Sequence, residues 1–200
     1  MEIGKQSNKI LKCLLKDFTI KQSITNISKE IGLSRPGAFK TLKKLELQKF
    51  IILTPIGKGK TSTYVISLNW KNPLLEKMIA IILADESIKN QRWINLFAEL
   101  EKKTDFCMIY GSILNDAKEA NDIDILCVPS SKKNFVEIEK ITSRIQKSQI
   151  KKIHLLQFTQ NELKTELKNK NEAFIDAIKK GIILYGHEKF IKFIRRLSNE

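Results

Sequence analysis

The chain has 200 residues, 42% of them hydrophobic and 29% charged, with few glycines and prolines, which suits one large or two small globular domains. No apolar run approaches the roughly 20 residues of a membrane span, and the lysine-bearing N-terminus has no apolar core, so no membrane partner and no secretory signal are expected. Cys13, Cys107 and Cys127 lie in apolar surroundings without paired spacing, and read as buried free thiols of a reducing cytoplasm.

The net charge of +14 is unevenly spread: residues 1–70 hold 13 Lys/Arg against four acids. Two-thirds of the excess lies in one-third of the chain. That skew is the footprint of a polyanion partner, most simply duplex DNA. A lysine-rich composition would explain the overall charge but not its placement.

Within residues 1–70, Ile10, Leu11, Leu14 and Leu15 form a stripe on an expected helix Asn8–Asp17. Thr25 is read as the N-cap of a short helix Asn26–Ile31, which Gly32 stops. Ser34 caps a third helix running to about Lys49, with Pro36 in its first turn, where a missing N–H costs nothing. Ile51–Thr54 and Thr63–Ser67 alternate as two strands around the polar loop 57–62. Ile27-Ser-Lys-Glu-Ile-Gly-Leu-Ser-Arg-Pro-Gly-Ala-Phe-Lys-Thr-Leu-Lys-Lys-Leu45 resembles the helix-turn-helix of winged-helix transcription regulators. The resemblance implies that the third helix enters the major groove and that Ser34, Arg35, Gly37, Ala38, Lys40 and Thr41 face base edges. Lys43, Lys44, Lys58 and Lys60 would sit on phosphates. It also implies a homodimer reading two half-sites.

Asn72-Pro73 marks a boundary. A helix Leu74–Glu86 is expected beyond it, then a second, Ile88–Lys102, with Trp93, Leu96, Phe97 and Leu100 at helical spacing. That stripe reads either as a dimer seam or as packing onto the sheet that follows.

The chemistry concentrates in Tyr110-Gly-Ser-Ile-Leu-Asn-Asp-Ala-Lys-Glu-Ala-Asn-Asp-Ile-Asp-Ile-Leu-Cys-Val128. Phe106–Tyr110 is an expected buried strand ending at a glycine. Ser112 opens a short helix, and Ile123–Val128 returns as a second strand. Asp122 and Asp124 stand two apart on that strand, so both carboxylates leave one face about 7 Å apart along the chain. Beside a helix start, such a pair suits a divalent metal holding a phosphate chain. Gly111 lets the backbone approach phosphates, and Ser112 adds a hydroxyl donor. The plainer reading is a surface turn and a strand with two solvent-facing aspartates.

This stretch resembles the signature of the DNA polymerase β-like nucleotidyltransferase superfamily, most closely its minimal branch. The resemblance implies that Gly111 and Ser112 contact a nucleoside triphosphate and that Asp122 and Asp124 hold Mg²⁺. Lys132–Lys147 is then a helix, and Ile150–Phe158 a third strand, giving a βαβαβ-like order. Active members of the family carry a third carboxylate on that strand. Here the segment reads Lys152-Ile-His-Leu-Leu-Gln-Phe158 and has none. His154 occupies the matching place, with Gln157 as the next polar option. Neutral imidazole is a poor ligand for Mg²⁺, but with an unperturbed pKa near ~6.5 it can serve as a general base. The plainer reading is an ordinary strand residue. Thr159 and Glu162 make a capping box for the helix Thr159–Lys170, a helix Asn171–Lys180 follows, and His187 reads as a helix-start residue. Residues 181–186 and the basic helix beyond resemble the family's closing element.

The fold expected is α+β: a winged helix-turn-helix over 1–70, a helical connector over 71–104, and a mixed-sheet nucleotidyltransferase-like α/β domain over 105–200. The function expected is a DNA-binding enzyme that moves a nucleoside monophosphate from an NTP to a hydroxyl of a protein, small molecule or nucleic acid. The alternative is a transcriptional regulator whose inactive transferase fold senses nucleotides or docks partners.

Overall fold

The computed structural model describes residues 4–57 and 63–198. The chain divides into two units: one runs through Ile82 and takes back the chain from Ile194, the other is Leu83–Phe193. Among the described residues, no helix is long and apolar enough to cross a membrane.

In the first unit, α1 (Lys5–Lys16) buries Ile10, Leu11, Leu14 and Leu15 along one face. A two-residue strand, β1 (Gln22–Ser23), leads directly into α2 (Ile24–Ile31). The expected cap at Thr25 is corrected here: Ser23 Oγ accepts from the Asn26 amide at 3.2 Å, so the helix starts two residues earlier. Thr25 lies inside the first turn, its carbonyl accepting from Ser28 Oγ at 2.9 Å. Gly32 closes α2 at φ 69°, as its position predicts.

Ser34 caps α3 (Arg35–Leu47) by accepting from the Gly37 amide at 3.2 Å. That helix ends sooner than expected, because Lys49 turns to φ 59° and its carbonyl takes amide hydrogens from Asn69 and Asn72. β2 (Ile51–Ile56) and β3 (Thr63–Leu68) form an antiparallel hairpin, with β1 added to β3 in the order β1-β3-β2. Ile51, Leu53 and Ile66 alternate onto the buried face, and Ile27, Leu42, Leu45 and Phe50 complete the core. Residues 58–62 of the hairpin loop, including Lys58 and Lys60, lie outside the described residues.

Before the second sheet, the expected single helix Ile88–Lys102 is broken. α4 (Pro73–Ile88) ends as the Asn90 amide bonds to the Ser87 carbonyl and its side chain to the Glu86 carbonyl. α5 (Gln91–Leu96) and a 3₁₀ segment, Ala98–Lys103, follow. Trp93, Phe97 and Leu100 are buried with Cys107, Ile109, Ile125 and Ile138, so the stripe packs on the sheet instead of waiting for a partner.

The remaining elements are β4 (Thr104–Tyr110), β5 (Asp122–Pro129), α6 (Asn134–Gln146), β6 (Lys152–Gln157), α7 (Gln160–Lys168), α8 (Glu172–Lys180), β7 (Ile182–Tyr185) and α9 (His187–Ser198). The sheet order is β6-β5-β4-β7. β5 and β6 run parallel, through α6; β4 is antiparallel to both β5 and β7. The βαβαβ-like order therefore holds as a sequence of elements but not as a parallel sheet, because nine residues between Ser112 and Asp122 are too few for a helical crossover.

β7 is a strand that the sequence reading treated only as a closing segment. It is followed by Gly186 at φ 75°, where a Cβ would lie 1.9 Å from the Asp105 carbonyl. Phe106 packs on the other face against Phe190 and Phe193, at ring distances of 5.4 and 5.5 Å. The capping box at Thr159 and Glu162 is present in both directions. Cys107 and Cys127 are register partners, buried and free, with sulfurs 3.4 Å apart, whereas Cys13 is only partly buried.

Candidate active site

The sheet's inner strands carry apolar residues on both faces until their ends. Along β5, Leu126 and Val128 are buried, whereas Asp122 and Asp124 on the same face are half-buried. The alternation of the strand thus delivers both carboxylates to one place, at the end of the sheet where β4 finishes at Tyr110.

Gly111 follows at φ 82°, ψ −165°, a region open essentially to glycine alone. A Cβ there would lie 2.2 Å from Asp124 Oδ2. The glycine therefore does two things: it turns the chain, and it leaves the space that Asp124 fills. The expected short helix at Ser112 is a single 3₁₀ turn, Ser112–Leu114, with Ser112 exposed at its start and Ile113 anchoring it in the core.

The loop back to β5 is held from two sides. Asp116 Oδ1 accepts from the Lys118 and Glu119 amides at 2.8 and 3.3 Å. Lys151 Nζ donates to the Lys118 carbonyl at 3.1 Å and to the Ala120 carbonyl. Neither Asp116 nor Lys151 was singled out from sequence. Asp116 had a local signal, an aspartate two residues before an amide it can cap.

His154 enters from β6. The parallel register sets Asp124 against His154 and Asp122 against Lys152. His154 Nδ1 lies 3.3 Å from Asp122 Oδ2 and 3.4 Å from Asp124 Oδ1. Ionised carboxylate oxygens accept, so the tautomer with its hydrogen on Nδ1 is the one that donates to the pair. The ring thus stands beside both carboxylates of the Asp-x-Asp pair.

The electrostatics follow from this crowding. Burial, and then the charge of Asp122, raise the Asp124 carboxyl above its ordinary range, and His154 offsets part of the rise. Tyr110, the register partner of Asp124, is pushed up to about 12 by burial and then by Asp124 and Asp122. Its hydroxyl stays protonated at neutral pH. A carboxyl raised by burial and by a neighbouring carboxylate, with an imidazole beside both, forms a site that a cation relieves. The donor atoms of Asp122, Asp124 and His154 lie within 4.8 Å of one another, and none is fully buried.

The expected nucleic-acid residues lie in the first unit. Arg35, Lys40 and Lys44 are exposed on α3. Ser34 Oγ is engaged as the cap, and Thr41 Oγ1 donates to the Gly37 carbonyl at 3.0 Å. Lys43 pairs with Glu46 at 2.8 Å and lies 5.6 and 5.5 Å from the Phe39 and Tyr64 rings. Lys43 is thus held within its own unit, while Arg35, Lys40 and Lys44 point their charge outward.

Residues 91–189 match the sequence family described as Polymerase beta, Nucleotidyltransferase. The matched segment contains Gly111, Ser112, Asp122, Asp124 and His154, and it supports nucleotidyl transfer at the level of the family. No curated protein and no solved structure matches the chain.

Proposed function

We propose that the second unit transfers a nucleoside monophosphate from an NTP to a hydroxyl, and that the first unit binds duplex DNA as a winged helix. The observation carrying the transfer reading is the convergence of Asp122 and Asp124 beside the glycine turn at Gly111. The acceptor oxygen attacks the α-phosphorus, the bond to the bridging oxygen breaks, and pyrophosphate leaves while the hydroxyl proton passes to solvent. Gly111 and Ser112 hold the phosphates, Gly111 by letting the backbone come close and Ser112 through its exposed hydroxyl. Asp122 and Asp124 hold a divalent ion, whose chemistry when bound is to neutralise the triphosphate. Two carboxylates fit Mg²⁺, which is commonly held by one or two of them plus substrate phosphates. Positioning and charge neutralisation then carry most of the rate.

The test is metal-dependent transfer from NTPs labelled at the α-phosphate, with protein and nucleic-acid acceptors present. Wild type should transfer label, and the Asp122→Ala/Asp124→Ala double variant should not. A second reading is favoured by one observation: β6 supplies no carboxylate. On that reading the unit is a nucleotide sensor in a regulator, and NTP binding that depends on Asp122 and Asp124 would occur without any transfer.

The DNA-binding proposal rests on three helices followed by an antiparallel hairpin, with Arg35, Lys40 and Lys44 exposed on the third. Affinity for duplex DNA should fall steeply with salt, and a Lys40→Ala/Lys44→Ala variant should show a shallower slope. A salt-independent affinity would contradict phosphate contacts.

A further inference from the structure

We propose that the site selects a first-row transition ion such as Mn²⁺, held by Asp122, Asp124 and the Nδ1 nitrogen of His154, over Mg²⁺. This rests on the metal-dependent reading above, but concerns which ion is held and by what. Three observations carry it. First, the three donors come from two neighbouring strands in fixed register, Asp124 opposite His154, so their grouping is set by the sheet and not by a loop. Second, Nδ1 is the ring atom aimed at the carboxylates, 3.3 and 3.4 Å from their oxygens. Around an ion with bonds of about 2.1 Å, neighbouring ligand atoms stand roughly 3.0–3.4 Å apart. Both His154–carboxylate distances already fall near that range, and all three donor atoms lie within 4.8 Å of one another. Third, β6 offers no carboxylate to complete an all-oxygen shell.

The chemistry of the donor set then decides the preference. Mg²⁺ keeps oxygen ligands and gives up water reluctantly. An imidazole nitrogen adds little to its binding but is a ligand that first-row transition ions accept, least strongly Mn²⁺ and more strongly the ions beyond it, so Mn²⁺ is the most demanding probe of the preference. His154 is thus a ligand in the loaded site, which takes it out of the general-base role expected from its sequence position. A nitrogen committed to a metal cannot also accept the nucleophile's proton.

The experiment is Mn²⁺ binding to the full chain, read by electron paramagnetic resonance with detection of ¹⁴N coupling, alone and with a non-hydrolysable NTP analogue. Competition with Mg²⁺ gives the selectivity. Wild type should show coupling to a directly bound imidazole nitrogen. His154→Ala should lose that coupling and weaken Mn²⁺ binding by about tenfold or more, the lower end of what losing even a supporting partner costs. His154→Asp should shift selectivity toward Mg²⁺ by a similar factor while still binding metal, which shows that the site remains folded. Mn²⁺ bound without nitrogen coupling in both conditions, no Mn²⁺ binding in either, or unchanged selectivity in His154→Asp would overturn the proposal. The transfer reading fails separately: nitrogen coupling without label transfer removes the enzyme and leaves the metal site. Label transfer with no nitrogen coupling does the reverse.

Discussion

At Gly111 a single hydrogen in place of a methyl group decides whether the carboxylate pair can form. Its φ of 82° and ψ of −165° cost a non-glycine residue about 1–3 kcal/mol, and a Cβ would sit 2.2 Å from Asp124 Oδ2. Gly111→Ala should therefore lower stability by about that amount and displace Asp124, abolishing transfer while the circular dichroism spectrum stays native. Retained transfer would show that Asp124 tolerates the displacement. The Asp-x-Asp spacing was legible in the sequence because strand periodicity alone puts the two carboxylates on one face. The candidacy of His154 came from the family resemblance, which puts a third carboxylate on that strand. Its aim was not legible: which ring nitrogen meets the carboxylates depends on a register between strands about thirty residues apart. Tyr110 was missed as part of the site for the same reason, since only the pairing with Asp124 brings it there.

Elements were legible where their signals are local. Ser34 and the Thr159–Glu162 capping box are side chains bonding to amides three residues on, and both are present. The start of α2 was misplaced because Ser23 and Thr25 are both competent caps, and the choice between them is made by β1 pairing with β3. The two can be separated by urea unfolding. Ser23→Ala should cost about 1 kcal/mol, whereas Thr25→Ala, whose side chain caps nothing, should cost a few tenths at most. Equal effects would mean that the cap is shared. The helix break at Phe97 was hidden by Trp93, Phe97 and Leu100, which keep helical spacing across it. β7 was hidden because four apolar residues fit a strand or a buried helix equally well, and only the exposed edge of β4 decides.

For the molecule as a whole, stability should carry the mark of one histidine. His187 Nε2 lies 2.7 Å from Ser87 Oγ and 3.1 Å from the Ile183 carbonyl, and burial lowers its pKa below the ordinary 6.5. The unfolded imidazole takes a proton near ~6.5 and the folded one resists it, so stability is full above that pH and is lost as pH falls toward the depressed folded value. Urea midpoints should therefore drop as pH falls below about 6.5, and His187→Gln should flatten that drop. An unchanged slope would assign the effect to other groups.

The division of labour between a basic first unit and a nucleotidyl-transferring second one stands or falls on chemistry at Asp124. Removing its charge without changing its shape, as Asp124→Asn, isolates that chemistry. The most direct measurement is the joint release of pyrophosphate and capture of α-labelled nucleotide by an acceptor, with Mg²⁺ and with Mn²⁺. Wild type should yield the two products in equal amounts, and Asp124→Asn should reduce both by about a hundredfold or more, the scale on which removing one electrostatic contact to a transition state is felt. Wild-type protein that binds NTP through this site yet forms neither product would contradict the account and leave a sensor.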